Sequence, residues 1–167
     1  RYRVPGVDAV VPTMVVPTAG GIGYRGRSAL AQVVATTTEF TAVRGIYPQS
    51  GRFIVSSDDK SRRRVAVVGT KVIEDLELPD NPVGEYIRLG TEWFRIVGVM
   101  EKRGELLGMS QDNYIVIPFD VGRAMTGNDV RPRMSISFTA ASIEDVEPLR
   151  ERVKRAIRTS HKLRPGQ

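Results

Sequence analysis

RVAVVGTKVIEDL, residues 64–76, carries the strongest indication of the fold. Residues 65–68 form an unbroken apolar run, which is typical of a β-strand covered on both faces. Gly69 and Thr70 then turn the chain, and the side chains of Val72, Ile73 and Leu76 fall on one face of a helix. The stretch therefore predicts a strand-turn-helix unit.

A hairpin is predicted downstream, in the sequence EYIRLGTEWFRIVGV at residues 85–99. Apolar and polar side chains alternate on both sides of Gly90-Thr91, as they do in strands with one buried face. A glycine at the first central position of a two-residue loop is typical of a type II′ turn. We therefore expect antiparallel strands at residues 85–89 and 92–99.

The rest of the chain mixes short strands with short helices. The recurring valine, isoleucine and threonine favour strands. The pattern predicts strands at 7–17, 30–37, 51–55, 114–118 and 134–139, a loop at 56–64, and helices at 38–44, 121–125 and near the C-terminus. An apolar stripe from Ile143 to Ile157 marks this last helix, with Ser142 as a candidate cap and Pro148 expected in its first turn. The predicted fold class is α+β (mixed α/β).

Composition limits the class of protein further. A chain of 167 residues with 41% apolar content can bury one ordinary core or two small lobes. No stretch approaches the roughly 20 apolar residues of a spanning helix, so we expect the polypeptide as given to be soluble. Its start at Arg1, without an initiator Met, suggests a processed chain or part of a longer one. The absence of cysteine excludes disulfides and thiolate metal sites.

The net charge of +6 raises the possibility of a nucleic-acid-binding module. The compact basic run is Arg62-Arg63-Arg64, preceded by Asp58-Asp59 and followed at once by the apolar strand. Phosphate sites usually interleave basic residues with aromatics, and the nearest aromatic here is Phe53. We therefore favour a solvated loop face for this run, with nucleic-acid binding kept as an alternative.

Two glycine-containing segments resemble phosphate-binding loops. Residues 21–26, GIGYRG, match the G-x-G-x-x-G spacing of dinucleotide sites, but the residues on both sides favour strands. Residues 67–71, VVGTK, lead from a strand through glycine to a lysine, but the chain has no Gly-Lys dipeptide of the Walker type. We interpret the first as a hairpin loop and the second as a strand-to-helix crossover, with no cofactor at either.

Single polar and aromatic residues also offer candidate sites. His161 has no second imidazole with which to share a metal and is interpreted as a cation at a helix C-terminus. Asp58-Asp59 and Asp112 have the oxygen ligands of a hard cation but not the calcium-loop spacing, so solvated loops are expected. Trp93 is expected in the core. No catalytic, cofactor-binding or metal-binding residue is assigned.

Residues 102–112 are predicted to be a loop with an unusual composition. Leu106, Leu107 and Met109 are apolar groups that a plain loop has no reason to carry. They are therefore predicted either to cap a lobe or to contact a partner.

The order of these signals resembles a known family. GRF at 51–53, VAVVG at 65–69, PVG at 82–84, FRIVGV at 94–99 and IVIP at 115–118 occur in the order and approximate spacing of the extracytoplasmic core domain of MacB-type, FtsX-like ABC transporter permeases. The resemblance extends over nearly the whole chain.

The resemblance implies a fold, a location and a role. Residues 1–44 with 128–167 would form a membrane-proximal, porter-like lobe of βα type, and 45–127 a distal mixed-sheet lobe. The domain would lie on the periplasmic or extracellular face of the cytoplasmic membrane, tethered by flanking helices outside this sequence. The implied transporter is a homodimer with an ATPase subunit or domain and a periplasmic adaptor, a membrane fusion protein. The implied role is mechanical, without catalytic residues: motion driven by ATP hydrolysis extrudes the substrate.

Two alternatives remain at this point. The chain is also compatible with a lipoprotein-release or regulatory FtsX-like permease of the same superfamily. The basic nucleic-acid-binding module is the alternative from another class.

Overall fold

The computed structural model describes residues 7–127, 133–140 and 146–161. Strands are β1 Val7–Val16, β2 Ile22–Tyr24, β3 Arg27–Ala29, β4 Gln32–Thr36, β5 Pro48–Gly51, β6 Val65–Val68, β7 Tyr86–Leu89, β8 Glu92–Met100, β9 Glu105–Leu106, β10 Met109–Ser110, β11 Tyr114–Pro118 and β12 Arg133–Ala140. Helices are α1 Phe40–Arg44, α2 Ser56–Lys60, α3 Thr70–Asp75, α4 Phe119–Thr126 and α5 Val146–His161. The predicted mixed α/β class is confirmed.

The chain divides into two compact units. The larger unit is Val11–Ile136, and the smaller one is drawn from both ends of the chain, before Val11 and after Ile136. In the smaller unit, α5 includes Pro148 as its third residue, so the prediction of proline in the first turn is confirmed. The expected cap, Ser142, lies outside the described residues.

A mixed sheet forms the larger unit, with strand order β1-β4-β11-β6-β8-β7-β2-β3 and β5 added to β8. The β4–β11 and β6–β8 pairs are parallel, whereas β11–β6 and β7–β8 are antiparallel. All of β6 is buried, as its apolar sequence predicts. Gly69 then begins α3, where a side chain on Gly69 would collide with the carbonyl of Asp112, so the predicted strand-turn-helix unit is confirmed.

Apolar clusters cover both faces of this sheet. On one face Ala66 and Val68 of β6 join a cluster that includes Val72 and Leu76 of the α3 region and Val121 of α4. On the other face the remaining β6 side chains join a cluster that includes Phe40, Ile54 and Val116. The alternating β6 side chains therefore bury into both halves of the core.

The β7–β8 hairpin matches its sequence prediction. Tyr86 pairs with Arg95 and Leu89 with Glu92. Gly90 has φ 61° while Thr91 is not among the residues with positive φ, which is the combination a type II′ turn requires.

Two predictions for the segment before β6 are wrong. The strand expected at 51–55 lies earlier, as β5 Pro48–Gly51, and the loop expected at 56–64 contains α2 Ser56–Lys60. The helix forms because the Asp58 carboxylate accepts a hydrogen bond from the Val55 N–H at its N-terminus, at 3.0 Å. Within the described ranges, no helix has the length and apolar content needed to cross a membrane.

Candidate partner-binding surface

The predicted loop at 102–112 is a small hairpin instead. Strands β9 and β10 pair through Leu106 with Met109 and Glu105 with Ser110. The two loop residues, Leu107 and Gly108, have φ angles of 51° and 76°, the positive pair that a type I′ turn requires. This turn was missed because asparagine or glycine usually occupies the first position, and here a leucine does.

The three apolar side chains of this hairpin are exposed, and we call Leu106, Leu107 and Met109 the apolar tip. Their exposed fractions are 61%, 96% and 73%. None of them belongs to the two core clusters. A leucine with positive φ also costs about 1–2 kcal/mol relative to an ordinary backbone conformation. The tip is therefore unfavourable in the isolated chain, and its apolar surface is available to a partner.

Asp112 fixes the root of this hairpin. Its carboxylate is 3% exposed and accepts hydrogen bonds from the backbone N–H groups of Arg103 and Gly104, each at 2.8 Å. The N–H of Gln111 donates to the carbonyl of Gly104 at 2.9 Å, which closes the same loop. The prediction that Asp112 lies in a solvated loop is wrong, because its oxygens are already used inside the protein.

The root is also attached to neighbouring helices. The carbonyl of Asp112 accepts a hydrogen bond from Lys71 N–H in the first turn of α3, at 3.3 Å. The Arg103 guanidinium donates to the carbonyls of Arg44 and Gly45 at the end of α1. Burial, with a further contribution from Asp112, raises the pKa of Tyr114 to about 12, so this phenol stays neutral at physiological pH. The tip is therefore exposed while its root is held in the sheet and helices.

A second buried acid organises the segment after β5. The Asp58 carboxylate is fully buried and receives two hydrogen bonds from the Arg52 guanidinium, at 2.7 and 3.2 Å. Burial acts to raise the pKa of Asp58, but hydrogen bonds from Arg52 and Val55 N–H outweigh it and hold the pKa below its ordinary value. We call this the Arg52–Asp58 pair. The predicted solvated loop is again wrong.

The residues around this pair have equally specific roles. A side chain on Gly51 would collide with the Val97 carbonyl of β8, and its φ of 66° also favours glycine. Phe53 stacks on Phe40 with ring centroids 6.0 Å apart. Asp59 accepts a hydrogen bond from Asp120 N–H at the start of α4, at 2.9 Å. The three residues GRF at 51–53 therefore hold the chain that follows β5 close to β8.

The family model for the MacB-like periplasmic core domain matches residues 1–156. The chain belongs to the MacB-like periplasmic core domain family. It is thus an extracytoplasmic type of domain, as the resemblance in sequence implied. The motifs quoted above within residues 51–118 have structural positions in this fold, because each lies in a strand, at a close backbone approach or in a turn.

Named relatives agree with this assignment. The chain is 32% identical over 114 residues to the macrolide export ATP-binding/permease protein MacB of Nitrosomonas europaea, covering 66% of the chain and 17% of that protein. It is 27% identical over 154 residues to the pyoverdine export ATP-binding/permease protein PvdT of Pseudomonas savastanoi pv. phaseolicola, covering 89% of the chain and 23% of that protein. The chain thus spans about a fifth of the curated relatives it matches.

Solved structures show the same fold. The extracellular domain of the noncanonic ABC-type transporter YknZ from Gram-positive bacteria has a TM-score of 0.77 at 18% identity, over 96% of this chain and 80% of that one. The periplasmic region of MacB from Actinobacillus actinomycetemcomitans has a TM-score of 0.75 at 15% identity, over 96% of this chain and 70% of that one.

The remaining sequence candidates have structural positions in this family fold. Residues 21–26 lie in the β2–β3 hairpin, but the predicted loop is shorter than expected, because Ile22–Tyr24 form β2 and the turn is Arg25-Gly26. Arg63 lies 3.9 Å from Asp58, and Arg64 lies 3.0 Å from Glu92, so these two cations of the basic run face carboxylates. His161 is the last residue of α5, as predicted for a helix C-terminus, and its side chain is outside the described set. In the part of the chain that is described, no group of three His, Cys, Asp or Glu side chains is placed to hold a metal ion.

The prediction for Trp93 is wrong. This side chain is 55% exposed on the outer face of β8, while Phe94 beside it is fully buried. The alternation correctly separated the two faces of the strand. It does not indicate that Trp93 is exposed on the outer face.

Proposed function

We propose that this chain is the extracytoplasmic domain of an ABC transporter permease that exports its substrate, and that the apolar tip contacts a periplasmic adaptor. Membership of the MacB-like family supports the first part. The names of the relatives, which are export ATP-binding/permease proteins, support export and an ATPase partner. The observation that carries the second part is the tip, where Leu107 is 96% exposed with positive φ.

The division into lobes belongs to the same proposal. A membrane-proximal lobe of residues 1–44 and 128–167 and a distal lobe of 45–127 suit a domain inserted between two membrane helices. The smaller compact unit is also drawn from both ends of the chain, but it is shorter than the proposed lobe, because residues 11–44 lie in the larger unit, where β4 pairs with β11. Flanking membrane helices would then attach to one unit, and a homodimer would be held together through the parts outside this sequence.

The proposed role is mechanical and not catalytic. The two buried acids of the described residues already have partners inside the protein, Asp58 in Arg52 and Asp112 in backbone N–H groups. The sheet of the larger unit has an apolar cluster on each face, which favours its displacement as one body. ATP hydrolysis in the cytoplasmic part would move this body, and the adaptor at the tip would move with it.

An adaptor is favoured over the alternatives by the chemistry of the tip. Two leucine side chains and a flexible methionine at a hairpin turn suit a pocket on another protein, because methionine adapts to irregular surfaces. The export names of the relatives favour an exporter over a lipoprotein-release or regulatory permease, and cargo copurified with the parent transporter distinguishes these. For nucleic acid, a labelled oligonucleotide that shifts at near-physiological salt is the supporting result.

Binding of the membrane fusion protein encoded with the parent transporter tests the proposal. Leu107→Asn introduces a residue that tolerates positive φ and removes the apolar side chain, so we expect adaptor affinity to fall roughly tenfold. Leu30→Asn is the matched control because Leu30 is 83% exposed elsewhere on the larger unit. Equal affinity for wild type and Leu107→Asn, or equal loss in both variants, contradicts a contact at the tip.

A further inference from the structure

The edge of the sheet formed by β2, β7 and β8 has one buried face and one open face. Ile22, Ile87 and Phe94 point inward and are fully buried. The outward side chains form two cross-strand pairs, Tyr86 with Arg95 and Arg88 with Trp93. Tyr86 and Trp93 are 57% and 55% exposed. We call these four residues the arginine–aromatic face.

The covering layer ends at this face. Arg95 pairs in register with Val65 of β6, which is buried in the cluster beneath Phe40 and Ile54. Beyond β6, the same side of the sheet on β8 and β7 has Trp93 and Tyr86 exposed, with no apolar cover among the described residues. Tyrosine, tryptophan and arginine are the residues most enriched in the energetic centres of protein interfaces, so this uncovered composition indicates a binding surface.

Arg88 is held flat against the sheet. A side chain on Gly23, its partner in register on β2, would collide with the Arg88 guanidinium. The same guanidinium donates a hydrogen bond to the carbonyl of Gly90. The absence of a side chain at Gly23 therefore provides the recess in which Arg88 lies, and Trp93 is left accessible beside it.

Arg95 is the cation of this face available to an anion. Among the described residues no carboxylate lies within ion-pair distance of it, whereas Arg52 is already bound to Asp58. Arg95 and Arg52 line a cavity of about 390 Å³, together with Val83 and Val97, where β5 and β7 meet along β8. A carboxylate entering this cavity would meet the Arg95 guanidinium beside an apolar wall, while Arg52 stays paired with Asp58.

We propose that the arginine–aromatic face binds an acidic segment of another polypeptide, with carboxylates at Arg95 and apolar side chains on Trp93 and Tyr86. Charge complementarity identifies the occupant, because the face carries arginines and no acid. A second copy of this chain is disfavoured because its net charge of +6 would repel the face. The proposal concerns residues apart from the apolar tip and does not rest on the adaptor contact.

The chain carries its own reporter for this test, since Trp93 is its one tryptophan. The probe is a synthetic peptide of alternating Glu and Phe residues, and the matched probe is the same length with Lys in place of Glu. We expect the Glu peptide to change the tryptophan emission of the 167-residue chain saturably and the Lys peptide not to do so. Arg95→Glu is expected to weaken binding roughly tenfold or more.

Arg123→Glu is the control variant, because it makes the same charge change on an exposed residue of α4. It is expected to bind the Glu peptide as the wild type does, with folding of both variants checked by circular dichroism. The proposal is overturned if the Glu peptide gives no saturable change, if the Lys peptide binds equally, or if both variants lose binding alike. A thymidine oligonucleotide that binds more tightly than the Glu peptide, with the same dependence on Arg95, also overturns it.

Discussion

The two hairpins of this domain use apolar residues in opposite ways. Ile87, Leu89 and Phe94 of β7–β8 are fully buried in the core, whereas Leu106 and Leu107 of β9–β10 are 61% and 96% exposed. Both hairpins have two-residue loops, and both are anchored at the base. The apolar residues of β7–β8 therefore contribute to folding, while those of β9–β10 contribute little to it and are available for binding.

The largest expected effect is on the buried hairpin. Phe94→Ala removes a fully buried ring and leaves a cavity, so we expect the free energy of unfolding to fall by about 3–5 kcal/mol. Urea denaturation followed by circular dichroism measures this loss. Leu107→Ala is the comparison variant and is expected to change stability by less than about 0.5 kcal/mol. Similar losses in both variants would remove the distinction between the hairpins.

The next effect concerns the root of the exposed hairpin. Asp112→Ala leaves the N–H groups of Arg103 and Gly104 without their buried acceptor, so we expect a loss of about 1–3 kcal/mol. Hydrogen exchange should accelerate at these two amides ahead of the β6 amides. Asp80→Ala, at an exposed turn, is the control and should leave both measurements unchanged. Unchanged protection at Arg103 in Asp112→Ala would show that the root is held by other contacts.

Acid should weaken the Arg52–Asp58 pair. The pKa of Asp58 is lower in the folded chain than in the unfolded chain, so its stabilising contribution is present above the unfolded pKa of about 3.9. The contribution is lost as pH falls through the folded pKa. We expect the wild type to lose more stability below about pH 4 than Asp58→Asn does. Parallel losses in the two proteins would assign the acid sensitivity to other groups.

The smallest effect is expected at the tip itself. Leu107→Asn replaces a leucine with positive φ by a residue that adopts this conformation readily, so we expect stability to rise by about 0.5–1 kcal/mol. Thermal unfolding measures the gain. Gly90→Ala, which places a side chain at φ 61°, is the opposite change in the other hairpin and should cost about 1 kcal/mol. A loss in Leu107→Asn would mean that the leucine contributes to the fold.

A residue type with one structural use predicts its element from sequence alone. The apolar run of β6 and the glycine at the first position of the β7–β8 turn each predicted their element correctly. Elements that depend on tertiary contacts are not predicted in this way. The residues of α2 are polar and therefore predict a loop. They form a helix because Asp58, buried against Arg52, accepts the Val55 N–H at the helix N-terminus.

The candidate site was predictable only in part. The composition at 102–112 correctly marked three apolar residues as unusual, but the hairpin was missed because its strands have two residues each and its turn begins with leucine. The alternation around Trp93 distinguishes the two faces of β8. It does not indicate which parts of each face are covered by other segments of the chain. Burial of Asp58 and Asp112 likewise depends on neighbours that are distant in sequence or in an unexpected conformation.

Site-specific photo-crosslinking in the intact parent transporter shows whether the apolar tip contacts the adaptor. A photo-reactive amino acid replaces Leu107 in one strain and Leu30 in another, because both side chains are exposed leucines. We predict an adaptor crosslink from position 107 and none from position 30. A crosslink from position 30 alone, or no product from position 107 in a transporter that still exports, would contradict the proposed role of the tip.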